Sequence, residues 1–172
     1  GAPVAELGSA AMASLFTRPH RAVPAILKAA RLGLKSDAGL LRHAFYAAEA
    51  LILASWMRRE GVSHVHAHFG TNSATVAMLA AAINNSTFSM TVHGPEEFDR
   101  PALIALPEKI RAASFVAAVS SYGLSQLRRL VSPEYWDRIR IVHCGVEKSF
   151  HEGAAPPAPA TAHFVCVGRL CE

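Results

Sequence analysis

The alternation of apolar and polar residues is clearest at positions 62–69, and it predicts a β-strand. From position 64 onwards histidines alternate with apolar residues, which is the period of two that a strand produces. Residues 87–93 form a second run of strand length, and between the two runs apolar residues recur at helical spacings of three and four. Val65, Ala67 and Phe69 are predicted to share one strand face, His64, His66 and His68 the other, and Val76, Leu79, Ala80 and Ile83 the helix stripe. This stretch therefore predicts a βαβ unit.

Weaker patterns predict the elements on either side of this unit. Residues 1–19 are only weakly patterned and are predicted to be a loop or a loose first turn. A longer helix that closes at Gly61 has a stripe predicted to be core, packed on the sheet: Leu41, Ala44, Phe45, Ala48, Leu51, Ile52 and Trp56. The other predicted elements are a short helix from Pro24 to Leu32, helices at 103–113 and after the N-cap candidates Ser120 and Ser121, and strands at 114–119 and 138–142. Alternating strands and helices with short connections predict an α/β fold, a Rossmann-like parallel sheet with helices on both faces.

The composition changes after residue 150, which predicts a domain boundary. Residues 1–150 are expected to form part of an amino-terminal domain. Residues 151–161 are rich in proline and alanine, as in a semi-extended linker, and residues 162–172 begin with a fresh strand. We expect that strand to be the first of a second domain, and the chain to be a fragment of a longer protein.

Charge and cysteine content narrow the class of protein. The net charge is +4, but the basic residues are scattered and are not interleaved with aromatic ones, so the sequence does not favour nucleic-acid binding. Three cysteines, Cys144, Cys166 and Cys171, match no zinc or disulfide pattern and are typical of reduced thiols in a cytoplasmic protein. The longest apolar run is far shorter than the ~20 residues that span a bilayer.

The candidate chemistry lies where the two predicted strands end, because ligands of open parallel sheets bind at the carboxyl ends of the strands. After the first strand, His68 is followed by Gly70, Thr71 and Asn72, whose polar groups can hold hydroxyls or an anion. Plain helix capping by Asn72 or Ser73 is the alternative. The second strand ends at His93, followed by the backbone freedom of Gly94 and by the acidic residues Glu96, Glu97 and Asp99.

The histidine row raises the alternative of a metal-dependent hydrolase. Two strand histidines spaced by two can supply two ligands, but the later predicted strands offer His93 and His143 and no aspartate. His64 and His66 are therefore predicted to be structural, with hydrogen-bonded partners, and no metal site is predicted. The chain also lacks the G-x-S-x-G, G-x-x-x-x-G-K-[ST] and G-x-G-x-x-G motifs.

Five motifs in order give the chain a family resemblance: HVHAHFGTNSATVA, SMTVHGPEEFDRP, FVAAVSSYGLSQL, IVHCGV and FVCVGRL. Together, over residues 40–172, they resemble the amino-terminal half of the retaining, family-4 type glycosyltransferases of the GT-B fold. The resemblance is greatest to those that build bacterial exopolysaccharides and colanic-acid-like polymers.

The resemblance implies a two-domain enzyme that transfers a hexose with retention in the cleft between its domains. It implies that His93 is catalytic, that His68, Gly70, Thr71, Asn72 and Glu97 bind the acceptor, and that Gly94, Ser120, Gly168 and Arg169 bind the donor. A guanidinium suits donor binding because its fork makes two hydrogen bonds to phosphate. The co-substrate implied is a nucleotide-sugar, without metal or other cofactor, and the acceptor is a lipid-linked or oligosaccharide glycan at the inner face of the membrane.

Other parts of the family pattern fall outside these residues. They are a glycine-rich loop expected before Gly1, and a lysine and a Glu-x7-Glu pair expected after Glu172, so the chain alone is expected to be inactive. A non-catalytic carbohydrate-binding or scaffold module with the same half-fold is the alternative to an enzyme.

Overall fold

The computed structural model describes residues 4–145, 147 and 148 of the 172-residue chain, with side chains from residue 7 onwards. The helices are α1 (Val4–Thr17), α2 (Pro19–Gly33), α3 (Gly39–Arg59), α4 (Asn72–Asn84), α5 (Glu96–Asp99), α6 (Leu106–Ala112) and α7 (Ser121–Arg129). The strands are β1 (His64–His68), β2 (Thr87–Val92), β3 (Phe115–Ala118) and β4 (Ile139–Ile141), and a 3₁₀ helix, Pro133–Arg138, precedes β4. The predicted linker at 151–161 and the strand at 162–172 lie outside the described residues.

The four strands form one sheet in the order β1-β2-β3-β4, and every neighbouring pair is parallel. Each connection that joins two of these strands contains a helix, as parallel pairing requires. The predicted Rossmann-like parallel sheet is therefore confirmed.

One face of the sheet forms the main core. Phe88 and Met90 of β2 and Val116 of β3 pack there with Ile110 of α6 and Leu127 of α7, and all five are almost fully buried. Residues of α4 contribute to the same cluster. The apolar side of the βαβ unit is thus covered by the helices that connect the strands.

A second apolar cluster lies beyond α4 and gives the molecule a third layer. It joins Leu79 and Ile83 of α4 to Ala50 and Ala54 of α3 and Ala22 of α2. Because helices α2 and α3 cover the side of α4 that faces away from the sheet, α4 is buried on both sides, which explains its alanine-rich, almost wholly apolar sequence.

The other face of the sheet carries the histidine row. The side chains of His64, His66, His68 and Phe115 are exposed there. In the part of the chain that the structure describes, the helices pack on the opposite face, so covering of this second face stays a prediction.

The amino-terminal prediction was wrong. Residues 1–19 contain helix α1, which has no clear stripe in sequence but packs on α3. Helix α2 starts at Pro19, so Pro24 lies inside it instead of opening it. Proline there forfeits a backbone hydrogen bond, and the close packing of the fully buried Ala22 against α3 and α4 offsets this loss.

The predicted core stripe of α3 was wrong for most of its residues, although the helix itself is confirmed and Leu51 of that stripe is buried. Leu41 is 73% exposed and Phe45 60%, whereas the buried side presents Ala47, Ala50 and Ala54 to the neighbouring helices. Alanines allow helix axes to approach closely, and together with Leu51 and Met57 they form the packed side of this helix.

Smaller corrections concern element ends. Phe69 does not continue β1, because its φ of 69° is in the left-handed region and its ring is 44% exposed. The helix predicted at 103–113 begins only at Leu106, after Ala105 with a φ of 53°. Among the described helices none is long and apolar enough to cross a membrane. Cys144 carries a free, exposed thiol, and Cys166 and Cys171 lie outside the described residues.

Candidate functional site

The carboxyl ends of β1 and β2 bring the two predicted site histidines into contact. Nδ1 of His68 lies 3.1 Å from Nε2 of His93, a hydrogen bond whose donor depends on the tautomers of the two rings. The ring of Phe69 packs on His93 with 4.7 Å between centroids. His93 is therefore held on two sides, by a polar partner and by an aromatic ring.

Glu97 is placed differently from the expectation that it faces an acceptor. Its side chain is only 3% exposed, and its two oxygens accept hydrogen bonds from the backbone N–H groups of Gly70, His93 and Gly94. The single turn α5 directs the carboxylate back toward the strand ends. Glu97 thus joins the loop after β1 to the loop after β2.

His93, Gly94 and Ser120 share one small pocket of about 100 Å³ at the ends of β2 and β3. The Oγ of Ser120 accepts a 3.1 Å hydrogen bond from the N–H of Gly123, so the predicted N-cap of α7 is confirmed. The structure brings these three predicted residues together beside the His68–His93 pair.

Thr71 and Asn72 lie at the start of α4, and the side chain of neither residue makes a capping hydrogen bond. The N-cap position of α4 is occupied by Thr71, whose side chain makes no capping hydrogen bond. The predicted capping by Asn72 or Ser73 was therefore wrong. The Ser73 hydroxyl donates to the carbonyl of His68 instead, over 2.8 Å. Asn72 is exposed and, with His68, lines an open groove of about 550 Å³ beside β1.

The other two strand histidines have the hydrogen-bonded partners that the sequence predicted for them. The ring of His64 contacts the hydroxyls of Thr87 and Ser89, and the ring of His66 contacts those of Ser89 and Thr91, at 2.7–2.8 Å. Ser89 and Thr91 are buried beneath the rings. This ladder joins β1 to β2 through side chains as well as backbone.

The histidine row also changes the electrostatics of the site. Burial lowers the pKa of His66 below 6.5, and the neighbouring charges of His68, His64 and His93 lower it further. Near neutral pH the His66 ring is uncharged and can accept a hydrogen bond as well as donate one.

Lys109 is the residue that sequence reasoning missed. It is 1% exposed, and its Nζ donates to the carbonyls of Gly70 and Thr71 at 2.8 and 2.6 Å. A signal was present, because Lys109 falls between Leu106 and Ile110 on the apolar stripe of its helix. A charged residue at such a position marks a buried polar contact.

Two residues predicted to bind the donor, and the question of a metal site, remain to be placed against the structure. Gly168 and Arg169 lie outside the described residues. Within the described range no group of three or more potential ligands is arranged to hold a metal ion.

A parallel α/β sheet with polar side chains gathered at the carboxyl ends of its strands defines a Rossmann-like ligand-binding domain. Residues 13–150 match the model of a family described as Glycosyltransferase Family 4. The match covers most of the chain, so the chain belongs to Glycosyltransferase Family 4, a family of GT-B glycosyltransferases. This membership supports a glycosyltransferase function, which in general uses a nucleotide-sugar donor and a glycan acceptor. A comparison with curated proteins found no match.

Proposed function

We propose that this chain is the acceptor-side part of a retaining hexosyltransferase that extends a lipid-linked exopolysaccharide or capsule glycan. In this proposal residues 1–150 belong to the acceptor-side domain, and the donor-binding domain begins at 162–172 after the linker. The observation that carries the proposal is the fixed position of His93 between His68 and Phe69 at the carboxyl end of β2.

His93 acts by position. Its ring is held by two neighbours and its backbone N–H donates to Glu97 over 2.7 Å, so little reorganisation is needed when a substrate binds. A polar group preorganised in this way stabilises charge that develops in an oxocarbenium-like transition state. We assign His93 a hydrogen bond to the transferred sugar or the donor diphosphate.

Retention in this proposal needs no carboxylate nucleophile. The acceptor hydroxyl attacks the anomeric carbon from the same face from which the leaving group departs. The departing phosphate takes the acceptor proton. The inward orientation of Glu97 supports this view, because its oxygens are already occupied by backbone N–H groups. The proposed reaction uses the nucleotide-sugar as co-substrate and no metal or further cofactor.

The remaining roles are assigned by the side of His93 on which each residue lies, either in the loop after β1 or in the small pocket at the ends of β2 and β3. His68, Thr71 and Asn72 are assigned to the acceptor, with Gly70 giving the loop its close approach. Gly94 and Ser120, which share the small pocket with His93, are assigned to the donor, as are Gly168 and Arg169.

The acceptor is proposed to be lipid-linked, so the enzyme works in the cytoplasm at the inner face of the membrane. This part rests on the resemblance of the motifs to enzymes of exopolysaccharide synthesis.

The test uses the full-length enzyme with a panel of nucleotide-hexoses and a lipid-linked acceptor. Proton NMR of donor and product compares the anomeric configuration, and inversion would exclude the retaining mechanism. Substituting His93→Ala should lower turnover by at least about 100-fold, as loss of a positioned group at a transition state does. His20→Ala, an exposed histidine on α2, is the control and should leave turnover unchanged. Wild-type turnover in His93→Ala would remove the assigned role.

The same experiment separates the enzyme from a non-catalytic carbohydrate-binding module. Such a module would bind glycans, visible as saturation transfer from protein to ligand, without consuming any nucleotide-sugar of the panel. Consumption of one donor with product formation excludes it.

A further inference from the structure

Two charged side chains lie buried behind the candidate site. Glu97 is 3% exposed and Lys109 is 1% exposed. Burying a charge is costly unless it is paired and hydrogen-bonded, so such residues are retained where their contacts matter. Both residues use their polar atoms on the backbone of the site loops.

The Glu97 carboxylate fixes two loops at once. One oxygen accepts from the N–H of Gly70, in the loop after β1. The other accepts from His93 at 2.7 Å and Gly94 at 3.2 Å, in the loop after β2. A single side chain therefore links both loops.

Lys109 holds the same loop from the other side of the peptide. Its ammonium donates to the carbonyl oxygens of Gly70 and Thr71. The carbonyl of Gly70 is thus bound by Lys109 while its N–H is bound by Glu97. Burial lowers the pKa of Lys109 to about 7, although the nearby carboxylates of Glu97 and Glu108 act to raise it.

The space around Gly70 is tightly packed, so the Gly70 peptide has little room to move. A Cβ at position 70 would lie 2.7 Å from Cδ1 of Leu106 and 2.9 Å from Oε1 of Glu97. The preceding residue, Phe69, has a φ of 69°, a strained conformation that persists only when its surroundings enforce it. Phe69 is also the residue whose ring packs on His93.

We infer that Glu97 and Lys109 are positioning residues for glycosyl transfer, which clamp the Gly70 peptide and so fix the acceptor-side loop relative to His93. Neither side chain touches substrate in this inference, and both act through the loops. The inference rests on the proposed role of His93. Loss of the clamp should therefore reduce kcat more than it changes KM.

The test compares Glu97→Gln and Lys109→Met with matched controls. Glutamine keeps the shape of Glu97 but has one acceptor oxygen, so it cannot serve all three N–H groups. Glu134→Gln and Arg111→Met are the controls, because both residues are exposed and neither belongs to the candidate site. Amide hydrogen exchange is measured by NMR at Gly70, and kcat and KM are measured with the full-length enzyme.

With Glu97→Gln we expect exchange at Gly70 to accelerate about tenfold or more and kcat to fall about tenfold, with KM changed by less than about threefold. Because both residues hold one peptide, the double variant should lose less than the product of the two single effects. Rates are normalised to folded protein, so a purely structural role would leave kcat unchanged.

Two results would overturn the inference. Unchanged exchange would show that there is no clamp, and faster exchange with wild-type kcat would show that the clamp does not serve the reaction. Should Lys109→Met not fold, the shape-preserving Glu97→Gln decides alone. Full activity of His93→Ala would instead refute the proposed function, and the exchange measurement would still report on the clamp.

Discussion

Replacing Lys109 with methionine should destabilise the chain more strongly at pH 9 than at pH 7. The direction follows from burial, which lowers the pKa of Lys109 from 10.5 to about 7 in the folded chain. Between these two values the unfolded chain binds a proton that the folded chain does not. The free energy of unfolding therefore rises with pH in that window, and this contribution is lost as the pH falls toward 7.

The magnitude follows from the same shift. The slope approaches about 1.4 kcal/mol per pH unit above the folded pKa, and integration from pH 7 to pH 9 gives about 2 kcal/mol. Methionine at this position does not titrate, so the free energy of unfolding of the variant lacks this rise between pH 7 and pH 9. It also leaves the carbonyls of Gly70 and Thr71 without their donor, at a cost of about 1–3 kcal/mol each. The pH-dependent part is distinguishable because the lost hydrogen bonds contribute at every pH.

The assay is urea unfolding of wild type and Lys109→Met at several values between pH 6 and pH 9, followed by circular dichroism. Other titrating groups are common to both proteins and cancel in the difference. Arg111→Met, an exposed change on the same helix, should give a difference that is independent of pH. The free energy of unfolding of wild type is compared with that of Lys109→Met. If the difference between them stays constant or shrinks from pH 7 to pH 9, the reasoning is refuted.

Three further substitutions test the packing, each by urea unfolding at constant pH. Ser120→Ala should cost about 1 kcal/mol because it removes the cap on the N–H of Gly123, and no loss would contradict the cap. Gly70→Ala should cost about 1–3 kcal/mol, since the new methyl group would overlap Leu106, and a neutral effect would show that the loop can move aside. Phe45→Ser should change stability by less than about 0.5 kcal/mol because the ring is 60% exposed, whereas a loss above about 2 kcal/mol would place it in a core.

Local sequence pattern was sufficient for most of the sheet. The alternation after position 64 placed His64, His66 and His68 on one face, and the apolar run at 87–93 placed β2, because side-chain direction in a strand depends only on the period of two. Adjacent strands in a parallel sheet end at the same edge. For that reason the sequence placed the candidate chemistry at one edge of the sheet, where the structure brings His68 and His93 into contact.

Helix α3 shows where the pattern was insufficient. Its sequence has alanines and large apolar residues on both sides, and periodicity alone favoured a side that includes Leu41 and Phe45. The structure buries Ala50 and Ala54 and leaves Leu41 exposed. Which side is buried depends on how closely the neighbouring helices approach, and that distance is a property of the assembled layers.

The sequence by itself predicted the parallel α/β fold, which the structure confirms, and it singled out His93 and the strand ends as the candidate site. Only the tertiary structure decided what holds that site together. The bond from Gly70 to Glu97 spans 27 positions and the bond from Lys109 to Gly70 spans 39. The position of Lys109 on an apolar stripe signals its burial, but the identity of its partners has no local signature, because the pairing depends on how the strand ends and α6 pack. A buried carboxylate such as Glu97 looks the same in sequence as an exposed one.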